Sequence, residues 1–238
     1  MTIQEQRLFS DVAASQKAST PTKPISLYQF GSSEAVVRRI QLPFVKFFRN
    51  ASPVLDIGCG RGVFLDILAQ AGIEGVGLDH SDEAVAFCRS KGFQVHQQDA
   101  NSYLAVSEAR FGGIFCSHVI EHFNYEDALQ LIKLCSAALR PGGVLLLVTP
   151  NPRDLAVMSE IFWLDPTHVR PYPTQLLRSM VESCGLRVNI DRCFVGDWHL
   201  IGRRRLLGYL VRKLVLGRYY GKPNALVLAR KDGDSDRD

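Results

Sequence analysis

The stretch Val54-Leu55-Asp56-Ile57-Gly58-Cys59-Gly60-Arg61-Gly62 constrains this chain more than any other. It reads as a buried strand that turns sharply on glycines into a helix over Arg61–Ala71. Gly58 and Gly60 carry no Cβ, so the backbone there can take positive φ and a ligand can lie directly against the peptide groups. The helix behind the turn points free N–H groups at the same place. A glycine turn alone is also the mark of a tight strand-to-helix connection, so the rest of the chain has to decide between the two.

Downstream the unit repeats. Gly75–Asp79 reads as a second strand, and Ser81-Asp82-Glu83 starts a helix with an N-cap and early acids. Asp79 falls 19 residues after Gly60. That spacing puts a carboxylate at the tip of the neighbouring strand, where it can accept from both hydroxyls of a ribose. A third strand, Phe93–Gln97, ends in Gln98-Asp99-Ala100, and a fourth, Phe111–Cys116, runs into Ser117-His118-Val119-Ile120-Glu121-His122. A helix over Tyr125–Leu139 stops at Arg140-Pro141-Gly142-Gly143, before an apolar fifth strand, Val144–Val148. Such alternation predicts an α/β doubly wound parallel sheet, with helices on both faces and a ligand at the carboxyl ends of the strands.

Ahead of this core, residues 1–30 read as an N-terminal arm with a breaker at Thr20-Pro21-Thr22-Lys23-Pro24. From Ser33 the apolar positions Val36, Val37, Ile40, Phe44, Phe47 and Phe48 predict a helix that Pro43 kinks or divides. At 238 residues, 46% of them hydrophobic, the chain can bury one substantial core over 31–238. No run is apolar enough to span a bilayer, and Met1 to Lys23 mixes charges without an apolar region of the secretory type, so a cytoplasmic location is expected. The six cysteines, Cys59, Cys88, Cys116, Cys135, Cys184 and Cys193, are scattered without a C-x-x-C pair. They read as free thiols rather than a disulfide framework or zinc cluster. Net charge is +4, and its excess lies in the tail: residues 199–238 hold ten Lys and Arg against four Asp and Glu.

Taken together, Asp56-Ile57-Gly58-Cys59-Gly60-Arg61-Gly62, Asp79, Asp99 and Leu139-Arg140-Pro141-Gly142-Gly143 resemble the class I S-adenosylmethionine-dependent methyltransferases over roughly residues 50–195. The resemblance implies a Rossmann-like seven-stranded sheet in the order 3-2-1-4-5-7-6 with the last strand antiparallel. Arg187–Val195 suits the sixth strand and Ala225–Arg230 the seventh. It also implies S-adenosylmethionine as cofactor. The turn, with Asp56, Gly58, Cys59 and Gly60, would lie against the methionine part. Asp79 would bind the ribose and Asp99 the adenine amino group, with His80, Ala100 and Ser117 completing the pocket. A nicotinamide dehydrogenase is the rival of any such turn. Here, however, the position three after Gly60 is Val63, not the Gly or Ala of the dinucleotide fingerprint. Asp56 also suits an ammonium group better than a pyrophosphate, which a carboxylate repels.

Methyl transfer is an in-line displacement at a sulfonium carbon, so the protein mainly has to hold an acceptor atom against the methyl group and take its proton when needed. Candidates follow the fourth and fifth strands: His118, Glu121 and His122, then Asn151, Asp165, His168, Arg170 and Tyr172. Glu121, His122 and His168 are the expected catalytic set. Glu121-His122 with His168 is also similar to the metal-binding Glu-His and later His of small-RNA terminal 2′-O-methyltransferases. His118 stands where those enzymes have a further Glu, which leaves His118, Glu121, His122 and His168 as candidate ligands of a divalent metal. Many small-molecule methyltransferases carry the same Glu-His, whose His orders the cofactor loop or acts as a base.

Asn151-Pro152 and Phe162–Pro173 look like methyltransferases of bacterial surface-polysaccharide and glycolipid pathways, with Trp163 and Tyr172 offering flat faces to a sugar ring. The expected function is therefore O-methylation of a small molecule, sugar or lipid-linked glycan. A quinone-precursor O-methyltransferase and a non-catalytic cofactor-binding interaction protein are the alternatives. Nucleic acid is disfavoured as a partner, because Ser117-His118-Val119-Ile120 stands where amino-methylating DNA enzymes carry Asn/Asp-Pro-Pro-Tyr/Phe. Between the sixth and seventh strands the chain inserts a basic segment at about residues 197–222, with an amphipathic helix expected around Ile201–Leu216. Its composition suits an anionic membrane surface. Packing on this domain, or on a second copy in a homodimer, is the alternative use of its apolar side.

Overall fold

The computed structural model describes residues 33–194 and 203–233, with side chains described from residue 210 onward in the second stretch. The expected arm at 1–30 and residues 197–202 of the insertion lie outside them. Helix α1 (Glu34–Gln41) passes into a 3₁₀ turn, Leu42–Phe47, that starts next to Pro43. Proline has no N–H to continue the α-helical ladder, and the expected helix is divided there. Strand β1 (Val54–Ile57), helix α2 (Val63–Gln70), β2 (Gly75–Asp79), α3 (Asp82–Ser90), β3 (Val95–Gln97), α4 (Ala100–Leu104) and β4 (Phe111–Ser117) then alternate. After them come α5 (Tyr125–Ala138), β5 (Leu139–Pro150), α6 (Leu155–Ser159), α7 (Thr174–Ser183), β6 (Leu186–Phe194), α8 (Arg203–Leu216) and β7 (Asn224–Lys231).

The strands form one seven-stranded sheet in the order β3-β2-β1-β4-β5-β7-β6. Strands β1 to β5 pair in parallel, and β7 is antiparallel to both β5 and β6. Successive residues of a strand serve opposite faces, so two cores form. Leu55, Ile57, Ile114, Leu145 and Leu147 bury one face against α4, α5 and α7. Val54, Phe115, Leu146 and Val148 bury the other with Phe44, Phe48 and Phe64. Phe115 is the centre of that aromatic cluster: its ring lies 4.0 Å from Phe64, 6.0 Å from Phe44 and 6.3 Å from Phe48.

Most element ends fall within two residues of the sequence expectation, and two starts differ for a physical reason. Helix α2 starts at Val63 rather than Arg61, because Gly62 sits at φ 71° and is still part of the turn. Strand β5 starts at Leu139, so the expected stop at Arg140–Gly143 is a bulged beginning of the strand, exposed up to Gly142, with the register to β4 shifting between Phe111 and Gly113. No described helix is long and apolar enough to cross a membrane.

Candidate active site

The carboxyl ends of β1, β2, β4 and β5 meet at one edge of the sheet. Leaving β1, the chain takes Gly58 at φ 69° and Gly60 at φ 51°. A side chain at Gly58 would place its Cβ 2.4 Å from Val119, so the glycine there allows a close approach between two loops. Nothing lies within 4 Å of where a Cβ would stand at Gly60, which leaves room beside that backbone for a ligand. The turn's own donors are committed. Gly58 and Cys59 donate to the Leu78 carbonyl at 2.8 and 3.2 Å, and Gly60 donates to Asp79 Oδ2 at 2.9 Å. Phosphate-binding turns keep such N–H groups for the ligand. This one spends them on β2, as suits a cofactor without pyrophosphate.

Asp79 is buried, and its other oxygen accepts from the Ser81 N–H at 2.9 Å. Each carboxylate oxygen thus has one backbone donor and a remaining lone pair for a hydroxyl. His80 stands beside it, exposed, with Nδ1 3.9 Å from Asp79 Oδ1. Asp56, one strand over, is 3% exposed. Burial first, then the nearby Cys88 and Asp79, push its carboxyl well above the usual range. A ligand ammonium entering this corner would relieve that cost. Asp99 is exposed and caps α4, accepting from the Ser102 N–H at 3.0 Å, with Ala100 half-buried behind it. Cys59 is buried in the turn, and half-buried Ser117 ends β4. The six cysteines are free thiols, four buried and two half-buried.

Beyond β4, His118 takes φ 56° and a short 3₁₀ turn, Ile120–His122, follows. Glu121 is completely buried. It approaches His118 Nδ1 at 3.2 Å and accepts from the Thr149 hydroxyl, at the end of β5, at 3.0 Å. Burial alone would raise its pKa, but the His118 contact, its own backbone N–H and the nearby His122 bring it below the usual range. For His118, burial opposes protonation while Glu121 and Asn224 favour it, and the net direction is up.

The loop after β5 closes over this group. Val169 and Arg170 donate their N–H groups to the Glu121 carbonyl at 2.8 and 3.2 Å, which brings His168 to His122, ring centroids 4.8 Å apart. Thr167 donates its only hydroxyl proton to Asp165 Oδ1 at 2.6 Å, so its oxygen must accept from His122 Nδ1–H at 2.8 Å. His168 lies 2.6 Å from the Phe162 carbonyl through Nδ1, and a carbonyl only accepts. Both histidines therefore carry a proton on Nδ1, which makes Nε2 the acceptor atom of the neutral ring, and His168 Nε2 stands 4.0 Å from Asp165 Oδ2. Asp165, raised by burial but lowered more by Thr167, His168 and His122, stays ionised. Ligand atoms of Glu121, His122 and His168 lie within 4.8 Å of one another.

The sequence candidates divide accordingly. Glu121, His122 and His168 come together, and His118 acts on Glu121. Tyr172 offers no face to a ligand: it is fully buried, its hydroxyl donates to the Asn124 carbonyl at 2.8 Å, and the Arg170 guanidinium lies over its ring. The expected sugar platform is thus reduced to Trp163, which is 60% exposed with its indole N–H donating to the Met158 carbonyl. Asn151 is buried and ties Lys222 in place. Thr149 and Thr167 were missed, and only the Thr-His pair 167–168 beside an acid hinted at either.

Comparison with known proteins agrees with this fold. The methyltransferase-domain family matches residues 32–189. A probable S-adenosylmethionine-dependent methyltransferase of Mycolicibacterium smegmatis is 32% identical over 136 residues, 57% of this chain and 52% of that protein. A ubiquinone biosynthesis O-methyltransferase of Haemophilus ducreyi is 32% identical over 108 residues, 41% of this chain and 45% of that protein. The chain spans about half the length of the curated relatives it matches. A solved structure of a SAM-dependent methyltransferase from Archaeoglobus fulgidus superposes with a TM-score of 0.73 at 28% identity, covering 86% of this chain and 97% of that one. With two thirds of its length inside the family's domain and the sheet order to match, the chain belongs to the class I S-adenosylmethionine-dependent methyltransferases.

Proposed function

We propose that this protein transfers the methyl group of S-adenosylmethionine to a hydroxyl oxygen of a small molecule, a sugar or a lipid-linked glycan. The observation that carries the reading is the pair of imidazoles, His122 and His168, held through Nδ1 beside buried Glu121 at the carboxyl edge of the sheet that also carries the glycine turn. The bound cofactor supplies the activated methyl group. Asp79 and the turn would hold it, the acceptor hydroxyl would sit against the two imidazoles, and one Nε2 would take the proton as the O–C bond forms and the S–C bond breaks, with S-adenosylhomocysteine as the leaving group. Glu121 then stabilises the imidazolium that forms. A quinone-type phenol is the second reading of the acceptor, favoured by the relatives called ubiquinone biosynthesis O-methyltransferases in Haemophilus ducreyi and Xanthomonas campestris.

The same three side chains also fit a divalent metal by donor type. Ligands at about 2.1 Å around one ion stand about 3.4 Å apart, so a cation would have to draw the 4.8 Å cluster inward. Glu121, His122 and His168 would hold it, and it would lower the pKa of the acceptor hydroxyl. Incubation with labelled S-adenosylmethionine separates the acceptors: label in catechols supports the quinone reading, and label in glycans or lipid extract supports the sugar reading. Cofactor binding without transfer to any of them would make the chain a cofactor-binding interaction protein.

A further inference from the structure

Helix α8 carries its apolar stripe outward. Leu210, Val211, Leu214 and Val215, at i, i+1, i+4 and i+5, are 52, 52, 86 and 75% exposed. The half-buried positions, Lys213 and Leu216, lie on the opposite side of the helix. Lys213 donates to the Tyr220 carbonyl at 2.7 Å and Arg212 to the Tyr220 hydroxyl at 3.3 Å, so the helix is held through these two side chains, and Leu210, Val211, Leu214 and Val215 face solvent. Packing on its own domain, one use the sequence left open, is not what α8 does with this stripe.

The place of the helix is set by the sheet. Phe194 at the end of β6, Asn224 at the start of β7 and Pro150 at the end of β5 stand in one register, at the carboxyl edge. The chain therefore leaves the sheet after Phe194 and re-enters it at Asn224, beside the active site. The returning strand is fixed there: Lys222 donates its N–H to buried Asp154 at 2.8 Å, and Asn151 donates to the Lys222 carbonyl at 2.7 Å. The loop after β5, rooted at the same edge, exposes Ile161, Trp163 and Leu164 by 53, 60 and 47%.

Charge decides what covers the stripe. From Trp198 to Lys231 there is no Asp or Glu, while Arg203, Arg204, Arg205, Arg212, Lys213 and Arg218 belong to α8 and the turn after it. A second copy docking through this face would bring two strongly basic, acid-free segments together. A layer of anionic headgroups over acyl chains answers both the charge and the stripe. We propose that α8 seats the carboxyl edge of the sheet on an anionic lipid bilayer. The docking stands apart from the methyltransferase reading. Its consequence rests on that reading: the acceptor is one carried on a lipid, methylated at the membrane surface.

Co-sedimentation of the full chain with vesicles tests this, using phosphatidylcholine with or without phosphatidylglycerol. Binding should need the anionic lipid and weaken with salt. It should fall about fivefold in Arg218→Gln, the factor expected for one cation near the headgroups at about 1 kcal/mol. Leu214→Gln/Val215→Gln should also release the protein, and both variants should keep their affinity for S-adenosylhomocysteine, which separates failed docking from a failed cofactor site. Absence of binding to anionic vesicles, binding unchanged in both variants, or a dimer in light scattering that Leu214→Gln/Val215→Gln abolishes would each overturn the proposal.

Discussion

Asp79 accepts the Gly60 N–H at 2.9 Å, so the acid at the tip of β2 and the glycine turn after β1 form one rigid corner. The contact orients the carboxylate and, by occupying the turn's donor, leaves the open side of Gly60 facing the cleft.

Gly60 and Gly58 should therefore separate affinity from stability. In Gly60→Ala the methyl enters space that only a ligand would fill, so affinity for S-adenosylhomocysteine should drop at least about tenfold. Stability should fall by about 1–2 kcal/mol, for the left-handed backbone. Gly58→Ala drives its methyl into Val119 as well and should lose about 1–3 kcal/mol more. Calorimetry and urea unfolding measure the two quantities.

His122→Ala and His168→Ala should each lower turnover about 10²–10⁴-fold while affinity for S-adenosylhomocysteine stays within about threefold. Chelation divides the roles. A base needs no metal, so activity should survive exhaustive chelation; activity lost to chelator and restored by a divalent cation assigns the same residues as ligands.

The His118–Glu121 contact makes stability depend on pH from both sides. His118 is raised above its ordinary 6.5, so its contribution is complete below 6.5 and is lost as pH climbs through the folded value. Glu121 is lowered below its ordinary 4.5, so its contribution is complete above 4.5 and is lost as pH falls through the folded value. Between about pH 4.5 and 6.5 the pair is fully formed. Thermal melting across pH should show a decline on the alkaline side that His118→Gln lacks.

Phe115 is fully buried among Phe44, Phe48 and Phe64. Phe115→Ala should cost about 3–5 kcal/mol in urea unfolding, with the sheet edge and its acids left in place.

The turn and the positions of Asp56, Asp79 and Asp99 were legible in the chain because each rests on local rules of strand, glycine, cap and spacing, and the sheet order followed only from the family resemblance those motifs carry. What escaped depends on contacts far apart in sequence. Tyr172 looked like a platform until Phe123 and Asn124 were seen to bury its hydroxyl, 49 and 48 residues away. Thr149 carries no chemical mark on its own and acquires a role only because β5 lies beside Glu121. The periodicity of α8 was readable, but periodicity says how wide an apolar stripe is and not which way it faces. Its direction follows from Lys213 and Tyr220.

Titration of the full chain with S-adenosylhomocysteine and, separately, with NAD tests the central claim most directly. One site should bind S-adenosylhomocysteine and none should bind NAD, because the turn donors that would meet a pyrophosphate are held by Leu78 and Asp79. Asp79→Ala should weaken S-adenosylhomocysteine at least about tenfold, since hydrogen bonds to a charged acceptor are worth about 1.5–3 kcal/mol. No binding of S-adenosylhomocysteine, or an affinity untouched in Asp79→Ala, would contradict the account.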